Sequence, residues 1–194
     1  QRHAACHINL QVKNTQHILE QLANYELDLG LIEGSCNHPE LTAEPWMDDE
    51  LAVFCEPNHP LAKLKKVSLD DLTAATWILR ERGSGTRETF DHAMRHHASG
   101  LKVRLELEHT EAIKRAVESG LGIGCISRLA LRDAFRRGSL VEIQTPMLDL
   151  QRQFMIVWHK NRYQTPALTS FLNYCRSLTL NLKHSDDIFL PTIA

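Results

Sequence analysis

The sequence is poor in features that would set it apart from an ordinary soluble chain, and each absence narrows its function. No apolar run approaches the ~20 residues needed to cross a bilayer as a helix. No secretory leader is recognisable, and the chain opens on Gln1 rather than Met, as a piece of a longer protein would. Charge of one sign is also lacking. The 22 Lys and Arg stand against 24 Asp and Glu, for a formal net charge of −2. No basic run exceeds the cluster from Lys63 to Lys66, so the chain is not expected to grip a phosphate backbone by itself. The five cysteines (Cys6, Cys36, Cys55, Cys125 and Cys175) are odd in number, scattered, and never in a C-x-x-C pair. Free thiols in a reducing cytoplasm follow. Cys125 and Cys175 fall in apolar patterns expected in the core, and Cys125, near Arg128, has the only basic setting that could activate a thiol.

Several catalytic and metal signatures are absent too. Gly120-Leu121-Gly122-Ile123-Gly124 is glycine-rich, but it follows a helical pattern and opens a strand, the reverse of a dinucleotide turn. Ser84 lies in Gly-Ser-Gly, not in a G-x-S-x-G elbow, and no Lys follows to make a phosphate loop. His92 and His96 have metal-ligand spacing beside His97, yet no further ligand completes a set. An exposed polar helix face is the reading adopted, with no metal, no cofactor and no catalytic residue. No carboxylate pair stands out for acid–base work.

What is present is a repeated alternation of strand and helix patterns. Ile8, Leu10 and Val12 alternate with polar residues as in a half-buried strand. Asn14 or Thr15 can cap a helix whose Ile18, Leu19, Leu22 and Ala23 share a face. Leu27 to Ile32 reads as a buried parallel strand, and Glu33-Gly34-Ser35 follows at its carboxyl end, where open α/β sheets bind ligands. Glu33 is therefore either a pocket carboxylate or a solvated loop residue. Leu41 to Pro45 and Glu50 to Cys55 read as two strands around a turn at Trp46–Asp49, and Glu56–Pro60 as a crossing between lobes. Ser68 caps a short helix. Leu101, Val103, Leu105 and Leu107 alternate cleanly with charged residues, predicting a strand with one buried face. Thr110 caps the next helix, Ile123–Ile126 is a buried strand, and Ser127 caps a helix from Leu129 to Arg137. Strands at Leu140–Ile143 and Phe154–Trp158, then a helix opened by Thr165-Pro166, complete the pattern. His184 to Ala194 reads as a frayed tail.

The most informative stretch is Arg80 to Glu88. A short apolar run, Trp77-Ile78-Leu79, feeds a helix predicted over Thr86–His97 through Gly83-Ser84-Gly85-Thr86-Arg87. The first N–H groups of a helix lack intrahelical partners and the helix dipole is positive there. Two glycines permit close approach, two hydroxyls can donate, and three arginines add charge. This is either an anion site or an ordinary helix start with its arginines in water.

These segments together resemble one family. Leu27-Asp28-Leu29-Gly30-Leu31-Ile32-Glu33-Gly34 is similar to the "ELDLGLIEG" stretch of LysR-type transcriptional regulators. Asp49–Phe54 followed by Pro57–Ala62 resembles their "DELVVV…P..HPLA" segment. Gly83–Arg87 resembles the "REPGSGTR" turn of the branch that includes regulators of sulfur assimilation and carbon fixation. Glu111–Lys114 and Gly120–Ile123 match its "EAIK..V..GLGI" stretch. The resemblance runs from about residue 8 to 178.

It implies a two-lobed α/β effector-binding domain with the fold of type 2 periplasmic binding proteins and a ligand cleft between lobes. Residues 1–56 and 157–194 would form one lobe and 57–156 the other. The family's ligand positions fall on Glu33 and Gly34 in the first lobe, on Gly83, Ser84, Gly85, Thr86 and Arg87 in the second, and on Gly122 and Ile123 at the margin. A small anionic effector, such as a sulfur oxyanion, a homodimer or homotetramer, and a cytoplasmic location are implied. Promoter DNA would be bound only through an N-terminal winged helix-turn-helix absent here, and no membrane is involved. The family's first strand and most of its first helix are absent as well. Two other classes share the fold: a transporter's solute-binding protein, and an enzyme such as a dehydratase, for which Glu33 is the one candidate acid or base.

Overall fold

The computed structural model describes residues 8–180, 182 and 184–188. Its elements are α1 (Thr15–Ala23), β1 (Gly30–Glu33), β2 (Leu41–Cys55), α2 (Leu69–Ala74), β3 (Thr76–Arg80), α3 (Gly85–Ala93) and β4 (Lys102–Leu107). They continue with α4 (Thr110–Glu118), β5 (Ile123–Ser127), α5 (Arg128–Arg137), β6 (Val141–Ile143), β7 (Gln151–His159) and α6 (Pro166–Leu178). Strand order is β1-β7-β2-β5-β3-β4, with β6 on β2. The strand β2 joins two sheets. It pairs antiparallel with β7 from Leu41 to Glu50, then with β5 and β6 from Leu51 to Cys55. The chain re-enters the first sheet where Gln151 pairs with Glu50.

Each sheet is buried on both faces. In the second, Trp77 and Leu79 point into a core with Phe90 and Met94 of the α3 side, while Ile78 points into a core with Ile113, Val117 and Leu131 of α4 and α5. Period-2 alternation with apolar residues on both sides is the mark of a strand sandwiched between helices. The Trp77 and Phe90 rings lie 4.7 Å apart. In the first sheet, α1 brings Ile18 and Leu22 onto Ile32 and Val157, and α6 brings Leu172 and Cys175 onto Ile156. Side-chain caps fix three of the six α-helix starts among the described residues. Asn14 accepts from His17 N, Ser68 and Asp71 form a reciprocal capping box, and Thr165 caps α6 with Pro166 at its first position.

Several expectations are corrected. Residues 8–12 form no strand, and Ile8, Leu10 and Val12 are 75–84% exposed. Alternation yields a strand only beside a ladder partner, and β1, at the edge of its sheet, pairs only with β7 among the described residues. That pairing is antiparallel, not parallel. Residues 41–55 are one strand rather than two. Pro45, which cannot donate, sits at a bulge where Trp46 is the extra residue, and Trp46 Nε1 donates to Cys175 O at 3.2 Å. The strand β4 is an edge strand parallel to β3, so its apolar face is only half covered and Val103 is 38% exposed. Helix α3 stops at Ala93. His109, not Thr110, precedes α4, and Ser127 precedes α5 without a side-chain cap. Within the expected tail, residues 184–188 are docked, whereas 189–194 lie outside the described residues.

The thiols follow from burial. Cys125 is fully enclosed, and burial pushes its thiol up to about 12 against a smaller opposing effect of Arg152. Burial outweighs the basic neighbour, so the thiol is not activated as the sequence suggested. Burial and Glu56 raise Cys55 to about 11, and burial also raises Cys175. Only Cys36 is partly exposed among the described cysteines. Since the thiolate is the reactive species, iodoacetamide at pH 8 is expected to modify Cys36 in the native protein and Cys55, Cys125 and Cys175 only after unfolding in urea. Mass spectrometry of tryptic peptides checks this, and rapid native labelling of Cys125 would contradict it.

Candidate functional site

The carboxyl end of β1 meets the first turn of α3 at very close range. A Cβ on Gly85 would lie 1.7 Å from the carbonyl oxygen of Glu33, so only glycine permits this approach. Gly34 leaves the strand with φ +91° and its N–H donates to Gln153 O at 2.8 Å. Gly83 has φ +87°, and its carbonyl accepts from the N–H of Gln16 at 3.0 Å. Thr15 Oγ1 donates to Glu33 O at 3.3 Å. Helices α1 and α3 and the end of β1 thus converge on one point.

The Glu33 side chain lies at the start of α3. Its Oε2 accepts from Thr86 Oγ1 at 2.8 Å and from Arg152 Nη1 at 3.0 Å. A carboxylate is favoured there by the helix dipole. Thr86 also accepts from Arg152 Nη1 at 2.9 Å. The side chain of Arg152 is 2% exposed; its Nε donates to Asp49 Oδ2 at 2.6 Å and its guanidinium carbon lies 5.4 Å from the Phe154 ring centre. Its Nη2 is buried and has no partner among the described residues, which is uncommon for an interior donor. Asp49 is itself wholly buried, and its Oδ1 accepts from Ser127 Oγ at 2.9 Å.

Two cavities flank this constellation. One of about 900 Å³ lies between α1 and α3 and is lined by Gly83, Ser84 and Arg87. The other, of about 530 Å³, is lined by Gly34, Gln151, Arg152 and Gln153. Ser35, Asn37, Glu88 and His92 border both. Ser84 is buried at the start of α3 without a side-chain cap bond.

The structure therefore brings Glu33, Gly34, Gly83, Ser84, Gly85 and Thr86 together. Arg87 lines the first cavity as well, but its guanidinium is engaged within its own lobe, donating to Asp91, Glu106 and the Arg80 carbonyl, each at 2.9 Å. Burial opposes its charge, and the hydrogen bonds to Glu106 and Asp91 more than offset this and hold its pKa above the ordinary value. Gly122 and Ile123 line neither cavity. Gly122 packs against the Thr76 carbonyl, and Ile123 is a buried partner of Trp77 in the second sheet. Sequence reasoning missed Arg152 and Asp49. The available signal was a lone arginine at an inward position of an otherwise apolar strand face, since a buried charge demands a partner.

A two-lobed α/β domain with a cleft at the strand ends is the architecture of periplasmic-binding-protein-like effector domains. The LysR substrate binding domain family matches residues 1–179, and the chain belongs to that family. It is 43% identical over 168 residues to the HTH-type transcriptional regulator YeiE of Escherichia coli K12, covering 87% of this chain and 57% of that protein. It is 36% identical over 186 residues to the regulator CysL of Bacillus subtilis, covering 96% and 56% respectively. The chain thus spans little more than half the length of these relatives. Among solved structures, the Synechocystis CcmR regulatory domain in complex with 2-PG superposes with TM-score 0.82 at 28% identity, covering 91% of this chain and 85% of that one.

Two outcomes are expected from this geometry. Gly85→Ala should destabilise the domain by roughly 1–3 kcal/mol or more, because the methyl meets backbone rather than a yielding side chain. Arg152→Ala should lower stability by about 3–5 kcal/mol, because it strands Asp49 as an unpaired buried carboxylate. Urea unfolding followed by tryptophan fluorescence measures both, and a loss under 1 kcal/mol for Arg152→Ala would refute the buried pair.

Proposed function

We propose that the chain is the effector-sensing domain of a LysR-type regulator and that it binds a small oxyanion where β1 meets α3. The observation that carries this reading is Arg152. It is a buried guanidinium whose Nη2 has no partner among the described residues, next to a helix start that offers Thr86 and Ser84 hydroxyls. Membership of the family favours a regulator over a transporter's solute-binding protein, and the curated relatives are transcriptional regulators rather than enzymes. The related CcmR domain was solved with 2-PG, which is consistent with an anionic ligand.

Glu33 shapes the ligand's charge. One guanidinium faces two carboxylates, Asp49 and Glu33. Asp49 is enclosed, whereas the Glu33 side chain is 40% exposed and free to swing aside. An arriving anion takes the Thr86 and Arg152 donors that Glu33 now occupies, which favours a small ligand such as a sulfur oxyanion. The hinge of this reading lies where β2 and the returning chain change sheets, at residues 50–51 and 150–151, each about six residues before the lobe limits at 56/57 and 156/157 implied by the resemblance. Binding shifts an open–closed balance only by the difference in affinity between the two forms. In the whole regulator, a homodimer or homotetramer in the cytoplasm, that shift re-spaces DNA-binding domains on a promoter.

Thermal-shift titration against sulfate, sulfite, thiosulfate and phosphate tests the proposal. One anion at ~100 times its Kd should stabilise the domain by roughly 2.7 kcal/mol, and Thr86→Ala should abolish the shift while leaving the fold intact. Arg87→Ala, by contrast, is expected to weaken the domain more than it weakens binding. No response to any of these anions, or an unchanged response in Thr86→Ala, would remove the site assignment.

A further inference from the structure

We propose that Ser185 and Asp49 are positioning residues for this anion site, with the segment 184–188 acting as a strap across the hinge that fixes Arg152 from behind. This rests on the reading of the site given above. The strap leaves α6, which packs on the first sheet through Leu172 and Cys175, and ends on the second. His184 bridges to Asp48 of β2 in parallel, and Arg132 of α5 donates to the Ile188 carbonyl at 2.5 Å. Between these anchors Ser185 is fully buried, and its Oγ donates to Asp49 Oδ1 at 2.5 Å.

Asp49 is the junction. Its Oδ1 takes the hydroxyls of Ser127 and Ser185, and its Oδ2 takes Arg152 Nε. With both oxygens engaged, the carboxylate has one orientation. The guanidinium is planar and rigid, so the Nε bond to Asp49 fixes where Nη1 points, and Nη1 is the group that reaches Thr86 and Glu33. Removing the Ser185 hydroxyl frees one side of Asp49 and loosens the aim of Arg152. The loss of that aim weakens anion binding although Ser185 touches no ligand.

Sulfate is the probe, titrated calorimetrically into the full 194-residue chain and its Ser185→Ala and Ser185→Thr variants. Ser185→Ala is expected to weaken sulfate binding fivefold or more, and Ser185→Thr, which keeps the hydroxyl, to restore most of it. A merely structural serine would lower the urea midpoint and leave the affinity of the folded protein unchanged, and that result overturns the proposal. If the wild-type chain binds no sulfate, the anion reading fails for that ligand, and amide exchange at residues 184–188 decides the positioning claim separately. Thr86→Ala shares no hydrogen bond with the strap, yet it should speed exchange there severalfold by releasing Arg152. Equal exchange rates in wild type and Thr86→Ala would overturn the relay.

Discussion

A single buried ion pair, Arg152 with Asp49, sets the constraints on the rest of the molecule. The two residues are register partners on β7 and β2, one step before β2 leaves β7 and enters the second sheet. Neither side chain is open to water, at 2% and 0% exposure. Removing two charges from water costs several kcal/mol per ion, and only good geometry with further hydrogen bonds recovers it. The recovery comes from both halves of the fold: Ser127 from β5, Ser185 from the segment after α6, Thr86 from α3 and Glu33 from β1. Satisfying this pair therefore requires that the two sheets, the segment 184–188 and helix α3 all be in place at once. An apolar pair would stabilise the hinge as well, but it would not tie four elements to one orientation.

The second constraint is the close approach of Gly85 to Glu33. It leaves no room for a side chain between β1 and α3, so the distance between the lobes at this point is set by backbone contact. Around it the two cavities remain open, sharing Ser35, Asn37, Glu88 and His92. The arrangement is that of a closed jaw, with an internal carboxylate held on the donors that an effector would use. Under the proposed reading, an exchange of one anion for another at these donors would change few contacts in the core, as reversible response requires.

How much of this was legible in the sequence depended on range. Three helix starts were readable because caps act over three residues: Asn14 with His17, Ser68 with Asp71, Thr165 with Leu168. The convergence of Glu33 with Gly83–Thr86 was readable because each sits at the end of a strand, where α/β sheets place their ligands. Tertiary pairing was not readable. Arg152 lies 119 residues from Glu33 and 66 from Thr86, and Ser185 lies 136 from Asp49, with no local pattern to join them. Trp46–Asp49 read as a turn because a bulge keeps a strand continuous only when a neighbour such as β7 is known. Residues 8–12 show the converse, a period-2 pattern that remains outside the sheets because no ladder partner lies beside it among the described residues.

The ion pairs of Arg87 bear on the proposed mechanism. Three arginines crowd the Gly83–Arg87 turn in sequence, and charge counting assigns them to the ligand. Arg80 is held by Glu81, and Arg87 by Asp91 and Glu106, so two of the three belong to ion pairs within the second lobe. The buried charge at the helix start comes instead from β7. The difference matters because a cation carried on α3 would move with the lobe that carries it and would feel an anion equally well in open and closed forms. In the proposed site Arg152 belongs to the hinge and Thr86 to α3, so both would reach one anion only when hinge and helix are correctly juxtaposed. Differential affinity between the two forms is the one means by which a ligand can shift their balance. Splitting the donors between a hinge strand and a lobe helix is how this sequence would obtain it.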